Sequence, residues 1–122
     1  MFRCLLAAAL LTSALSAAPA AAQDPSASQA QDLANCAGAV SAASGVLIES
    51  VYPSGRPIAV AYGWPAILNT IAERLSREPG LEGATGLVAA QAAHSHWSEQ
   101  PRDQARQAAE ECRVRYSPNI TP

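Results

Sequence analysis

The first long pattern of hydrophobic positions in this sequence has the spacing of an amphipathic α-helix. Apolar residues recur every three or four positions between residues 29 and 51, at Leu33, Cys36, Val40, Ala43, Leu47 and Val51. Such residues share one face of a helix, and Ser28 with Gln31 matches a capping box. The segment 52–57 ends the pattern, because Pro53 disfavours helical geometry in the residue before it. We therefore predict a first helix over residues 29–51.

Residues 58–62 are ambiguous, because their sequence IAVAY fits two elements. Alternating large and small side chains are typical of a strand, whereas Pro57 suits the first position of a helix. Downstream the helical spacing is clear, with apolar residues on one face at Trp64, Ile67, Leu68, Ile71 and Leu75. A single strand would find no second strand to pair with. We therefore predict one helix over residues 58–77, kinked near Pro65.

Two shorter helices are predicted in the C-terminal third. Residues 78–86 contain three glycines and one proline, a composition typical of a loop. Residues 87–98 and 101–116 then show helical spacing, and the second stretch carries opposite charges three or four positions apart on its polar face. Residues 117–122 contain two prolines, and we predict a disordered tail there.

Four helices with short connections predict an all-α fold, a small up-down helical bundle. The first and last helices are then antiparallel neighbours. Cys36 lies about two turns into the first helix and Cys112 about one turn before the end of the last, so both lie at one end of the bundle. A disulfide would therefore link helices one and four. We predict a single helical domain over residues 31–116, preceded by a flexible leader over residues 23–30.

The N-terminus, residues 1–22, has the pattern of a secretory signal peptide. A positive start at Arg3 is followed by an apolar run and by small residues at 20–22, the three parts of such a signal. The apolar run is too short for a permanent membrane span, although a retained N-terminal anchor is the alternative. We expect cleavage after Ala22, which removes Cys4 and leaves no further membrane span.

Export would bring the two remaining cysteines, Cys36 and Cys112, into an oxidising compartment. A single cysteine pair in an oxidising compartment forms a disulfide by default, and neither C-x-x-C nor C-x-x-C-H, the redox and haem motifs, occurs in the chain. All eight basic residues are Arg and Ala is the commonest residue, which favours a GC-rich bacterial source. We therefore expect a periplasmic or secreted protein whose cysteines are bridged.

The length and charge of the chain exclude some classes of function. Its 122 residues suffice for one domain. The net charge of −2 at pH 7 gives no basic surface for DNA or RNA. We therefore expect no nucleic-acid partner.

The histidine cluster His94-Ser95-His96 does not have the spacing of a metal site. Helical residues two apart point about 200° apart, whereas zinc sites on helices use histidines four apart. We expect no tight transition-metal binding by His94 and His96; a weak metal site and a pH-sensing or ligand-binding role are the alternatives. No G-x-S-x-G, paired carboxylates or phosphate-binding loop stands out, so we expect neither enzymatic activity nor a cofactor.

The side chains best suited to contact a ligand or partner combine a ring with a polar tip, namely Tyr62, Trp64, His94 and Trp97. We expect a non-enzymatic interaction module that binds another envelope protein. A periplasmic stress holdase and a carrier of a small apolar ligand are the alternatives. An interaction module would expose an aromatic or apolar patch. A carrier would enclose a pocket, and a holdase would expose apolar surface and loosen at low pH.

Overall fold

The computed structural model describes residues 25–122, and every regular element within them is helical. The five α-helices are α1 (Pro25–Ser44), α2 (Ile48–Val51), α3 (Gly63–Ser76), α4 (Ala84–Ser98) and α5 (Arg102–Tyr116), with a 3-10 turn at Pro53–Gly55. The predicted all-α bundle is confirmed. The leader predicted over residues 23–30 overlaps the first turns of α1. The predicted signal peptide, Cys4 and the expected cleavage after Ala22 lie outside the described residues.

The core lies around α1, which packs against α3, α4 and α5. α1 and α3 supply most of its large aliphatic side chains. The fully buried ones are Leu33, Val40, Ile67, Leu68, Ile71 and Leu75. Burying each of them stabilises the fold by roughly 1.5–3 kcal/mol. α1 and α3 therefore contribute most of the hydrophobic stabilisation of the core.

A disulfide between Cys36 and Cys112 joins α1 to α5, as the sequence predicts. The two Cα atoms are 5.5 Å apart, within the usual range for a bridge, and both cysteines are buried. Four residues beyond Cys112, the Tyr116 hydroxyl donates a hydrogen bond to Asp32, four residues before Cys36. α5 therefore runs antiparallel to α1.

α4 crosses α1 at Gly38, where the two backbones approach closely. A Cβ atom at position 38 would lie 2.4 Å from the backbone carbonyl carbon of Ala93, a separation that real Cβ atoms do not tolerate. Glycine therefore allows α4 to lie against α1 without large side chains between them.

The first helix is shorter than predicted, because α1 ends at Ser44 rather than at residue 51. Gly45 has a φ of +77°, and its N–H donates to the carbonyl of Ser41 at 3.0 Å. This is the left-handed C-terminal cap that glycine favours. Leu47 continues the apolar spacing but is exposed, so the spacing alone overestimates the helix.

The predicted helix over 58–77 is wrong in its first part. Residues 56–62, the connecting segment, precede α3 and have no helical structure; the backbone angles of Arg56 and Tyr62 at its two ends are extended. The Ile58 N–H donates to the carbonyl of Val51 at 3.0 Å, and its carbonyl accepts from the Asn69 side chain. A turn and the buried Asn69 amide therefore hold this segment in an extended form where the sequence pattern predicts a helix.

The C-terminal residues contact the bundle. Ser117 is buried, Ile120 packs against the core, and the Arg113 guanidinium donates to the carbonyl of Ile120 at 3.3 Å. The two prolines of residues 117–122 predict a disordered tail. This local pattern gives no sign of these contacts. They depend on where the end of α5 lies in the fold.

We expect Gly38→Ala to lower the free energy of unfolding by about 1–3 kcal/mol, because the new methyl group meets the backbone of α4. Helix propensity alone predicts the opposite sign, since alanine in a helix interior is favoured by about 1 kcal/mol over glycine. Thermal and urea unfolding followed by circular dichroism measures the change. Ala92→Gly, at an exposed position of α4, calibrates the propensity effect in the same bundle. A higher melting temperature for Gly38→Ala would contradict the close approach.

Reduction of the disulfide should cost about 2–5 kcal/mol of stability, because the unfolded chain regains the freedom that the bridge removes. Unfolding by urea with and without reductant measures the difference in the free energy of unfolding. The double variant Cys36→Ala/Cys112→Ala is the control, since it should match the reduced protein and not respond to reductant. If the double variant unfolds like the oxidised parent, the bridge is not a major source of stability.

Candidate functional site

The four ring side chains that the sequence singles out are distributed over different parts of the surface. Tyr62 is 81% exposed and immediately precedes α3. Trp64, His94 and Trp97 each line a separate open groove.

The Trp64 groove lies between the C-terminal end of α1 and the facing sides of α3 and α5. It has a volume of about 460 Å³, and its lining residues are Ala43, Ser44, Trp64, Arg106, Ala109 and Glu110. Glu110 is already paired with Arg113 at 2.5 Å, and this hydrogen bond lowers the pKa of Glu110. Arg106 makes no ion pair with any described residue. The groove therefore combines one aromatic ring with one available cation.

The Trp97 groove, with a volume of about 180 Å³, lies where α4 turns into α5. The indole N–H of Trp97 donates to the Asn35 side chain at 2.9 Å. Since indole has a single polar hydrogen, the polar tip of Trp97 is used to attach α4 to α1. This contact gives Trp97 a structural role.

The His94 groove lies between α2 and α4 and has a volume of about 220 Å³. Its lining residues are Ser41, Leu47, Ile48, Glu49, Gln91, His94 and Ser95. The Ser41 hydroxyl donates to the carbonyl of Val46 at 2.5 Å, since a carbonyl oxygen can only accept. The Ser41 oxygen then accepts from Nδ1 of His94, 2.9 Å away. His94 therefore carries its hydrogen on Nδ1 when neutral, and Nε2 holds a lone pair.

This Ser41–His94 contact has the opposite direction from that of a nucleophilic serine. In such catalysis the histidine accepts the serine proton, whereas here the histidine donates and the serine proton is held by Val46. Ser41 is also 0% exposed, so no substrate reaches its oxygen. The pair instead connects the end of α1 to α4.

Glu49 and Gln91 complete the polar side of the His94 groove. The Gln91 amide donates to one carboxylate oxygen of Glu49, which leaves the second oxygen available. Glu49 is the one charged side chain among the described residues that line the groove. No sequence pattern marks Glu49 or Gln91 as site residues, because α2 and α4 meet only in the folded chain.

The two histidines contact different partners. His94 is bonded to Ser41, while the ring of His96 meets the edge of Trp97 with the ring centroids 5.5 Å apart. Within residues 25–122 no three potential metal-ligating side chains come together. That neither histidine binds a transition metal tightly stays a prediction.

A polar cluster covers the disulfide at the C-terminal end of α5. The Arg115 guanidinium lies 3.5 Å from Sγ of Cys36 and 3.2 Å from the Asp32 carboxylate. Arg74 and Arg115 each stack 5.5 Å from the ring centroid of Tyr116, a favourable cation–π distance. Burial and the hydrogen bond to Asp32 raise the pKa of Tyr116 to about 12. This cluster shields the bridge, and its groups are already paired with one another.

Comparison with known proteins adds no relative to this geometry: no family model, curated protein or solved structure matches the chain. In residues 25–122, none of the helices has both the length and the apolar character required to cross a membrane.

Tyr116 should ionise well above the ordinary tyrosine range, near pH 12. Its neutral form is favoured in the folded state, so the resulting stability is fully present below about pH 10 and is lost as the pH rises towards 12. An ultraviolet titration of phenolate formation measures the pKa of Tyr116. The variant Tyr116→Phe should lack one of the transitions seen at high pH. Asp32→Asn should lower the Tyr116 pKa, because it removes the carboxylate that opposes ionisation. An unchanged titration curve in Tyr116→Phe would contradict the assignment.

Proposed function

We propose that this chain is an exported, non-enzymatic interaction domain that binds another envelope protein through the connecting segment and the adjoining Trp64 groove. The observation that carries the proposal is the exposure of Tyr62, whose side chain is 81% accessible while Ile58 on the same segment is 44% accessible. Tyrosine combines an apolar ring with a polar tip and is enriched at protein interfaces.

The composition of this surface is that of a protein interface. Tyrosine, tryptophan and arginine are enriched among the side chains that contribute most to protein–protein binding. Tyr62 is two residues from Trp64, and the Trp64 groove adds the guanidinium of Arg106, which forms no ion pair with any described residue. The other exposed large apolar side chains among the described residues are Leu47, Val88 and Val114, and none of them lies in the connecting segment.

The backbone of the connecting segment offers further contacts. Among the described residues, the N–H and C=O groups of residues 59–61 have no hydrogen-bond partner. An extended segment of a partner can bond such groups, as in strand addition, and thereby gain affinity from the main chain.

The segment is also held in place before any partner binds. Val51 and Asn69 bond both backbone groups of Ile58, and α3 begins directly after Tyr62. Preorganisation of this kind lowers the entropy that binding would otherwise cost. The fold thus supports a fixed contact surface rather than a loose loop.

Location in the envelope is supported by two independent features. The N-terminal pattern is that of a secretory signal, and the buried Cys36–Cys112 bridge suits an oxidising compartment. A carrier of small apolar ligands receives no comparable support, because the three grooves described above are all open to solvent.

The double variant Ile58→Ser/Tyr62→Ser tests the proposal. A tagged protein exported in its own host should capture a defined envelope protein. The variant should weaken that interaction by about 2 kcal/mol or more, as removal of central aromatic contacts does. Quantitative capture and then titration with the purified partner measure the loss. Both substituted side chains are exposed, so the melting temperature should change little.

Val114→Ser is the matched control, because Val114 is also an exposed apolar side chain but lies on α5. It should leave capture unchanged. Equal capture by the parent and the double variant would contradict the proposed surface. Recovery of many unrelated proteins, increasing at acid pH, would favour the holdase alternative.

A further inference from the structure

We infer that the His94 groove is a binding site for a small primary ammonium ligand, a cation with N–H donors and a short apolar stem. This inference is independent of the proposed partner surface, which lies on the connecting segment and around Trp64. It rests on the charge, the hydrogen-bonding capacity and the size of the groove.

The charge of the groove favours a cation. Glu49 is its only charged lining residue, and it forms no ion pair with any described residue. The Gln91 amide orients the carboxylate by binding one oxygen. The second oxygen is therefore held in position to accept a charge-assisted hydrogen bond.

The hydrogen-bonding capacity of the groove favours a donor. Ser41 fixes the hydrogen of neutral His94 on Nδ1, so Nε2 presents a lone pair on the other edge of the ring. An ammonium group has donors for both Nε2 and the Glu49 carboxylate. A carboxylate or phosphate ligand would bring its own acceptors to these two groups, and the described residues that line the groove include no lysine or arginine to bind it.

The size and apolar side of the groove favour a short alkyl stem. Leu47 and Ile48 line it beside the polar groups, and Leu47 is exposed despite its size. A volume of about 220 Å³ suits a chain of a few methylene groups. Covering Leu47 would remove apolar surface from water and add affinity to the ion pair.

The test uses n-butylamine as the probe and the oxidised, full mature chain as the protein. Titration followed by amide NMR shifts should localise binding to residues 47–49 and 91–95. Glu49→Gln should weaken binding by about tenfold or more, and His94→Gln should weaken it several-fold. Glu99→Gln is the matched control, because Glu99 is an exposed glutamate outside the groove, and it should bind like the parent.

1-Butanol is the matched ligand, since it has nearly the same shape without the charge, and it should bind at least about tenfold more weakly. Shifts spread evenly over surface carboxylates would overturn the inference. Equal affinity of the parent and Glu49→Gln would also overturn it, as would equal affinity for the amine and the alcohol. Because Glu49 is exposed, its variant should keep the parent's circular dichroism spectrum, so a loss of binding reports on the site.

Discussion

The Cys36–Cys112 bridge is the constraint on which the position of α5 depends. α5 buries only Ala105, Ala109 and Cys112, and such small side chains remove little apolar surface from water. α3, by contrast, buries two leucines and two isoleucines and is attached to α1 by hydrophobic packing. The bridge holds α5 where its last turn can meet the first turns of α1. The polar cluster around Tyr116 therefore depends on the covalent link that it covers.

The grooves on the surface follow from the same shortage of large side chains. α4 buries only Gly86 and Ala90, so it is attached to α1 by close backbone approach and by polar side-chain contacts. Close approach at Gly38 gains dispersion energy along the line where the helices cross. Away from that line, alanines and serines are too short to fill the space between neighbouring helices. Open grooves lined by His94, Trp64 and Trp97 are the result.

The sequence alone predicts contacts between residues that are close along the chain, but not contacts between distant residues. The helices α3, α4 and α5 follow from side chains three and four residues apart, and the bridge follows from the positions of Cys36 and Cys112 at one end of the predicted bundle. The apolar spacing does not reveal the cap at Gly45, because Leu47 continues the spacing although it faces solvent. The His94 groove could not be predicted, since Ser41 and His94 are 53 positions apart and Glu49 and Gln91 are 42 apart. No periodic pattern links such distant residues.

The two places where the helical predictions fail also create the two proposed surfaces. If α1 continued past Ser44, the carbonyl of Val46 would be bonded within the helix and could not hold the Ser41 hydroxyl. Nδ1 of His94 would then lose the contact that fixes its hydrogen. If α3 began at residue 58, a helix would use the backbone groups of residues 59–61. The first break fixes which nitrogen of His94 carries the hydrogen. The second leaves backbone groups of residues 59–61 without a partner among the described residues. Loops held by a rigid scaffold commonly provide binding groups in this way. Uninterrupted helices would present neither surface.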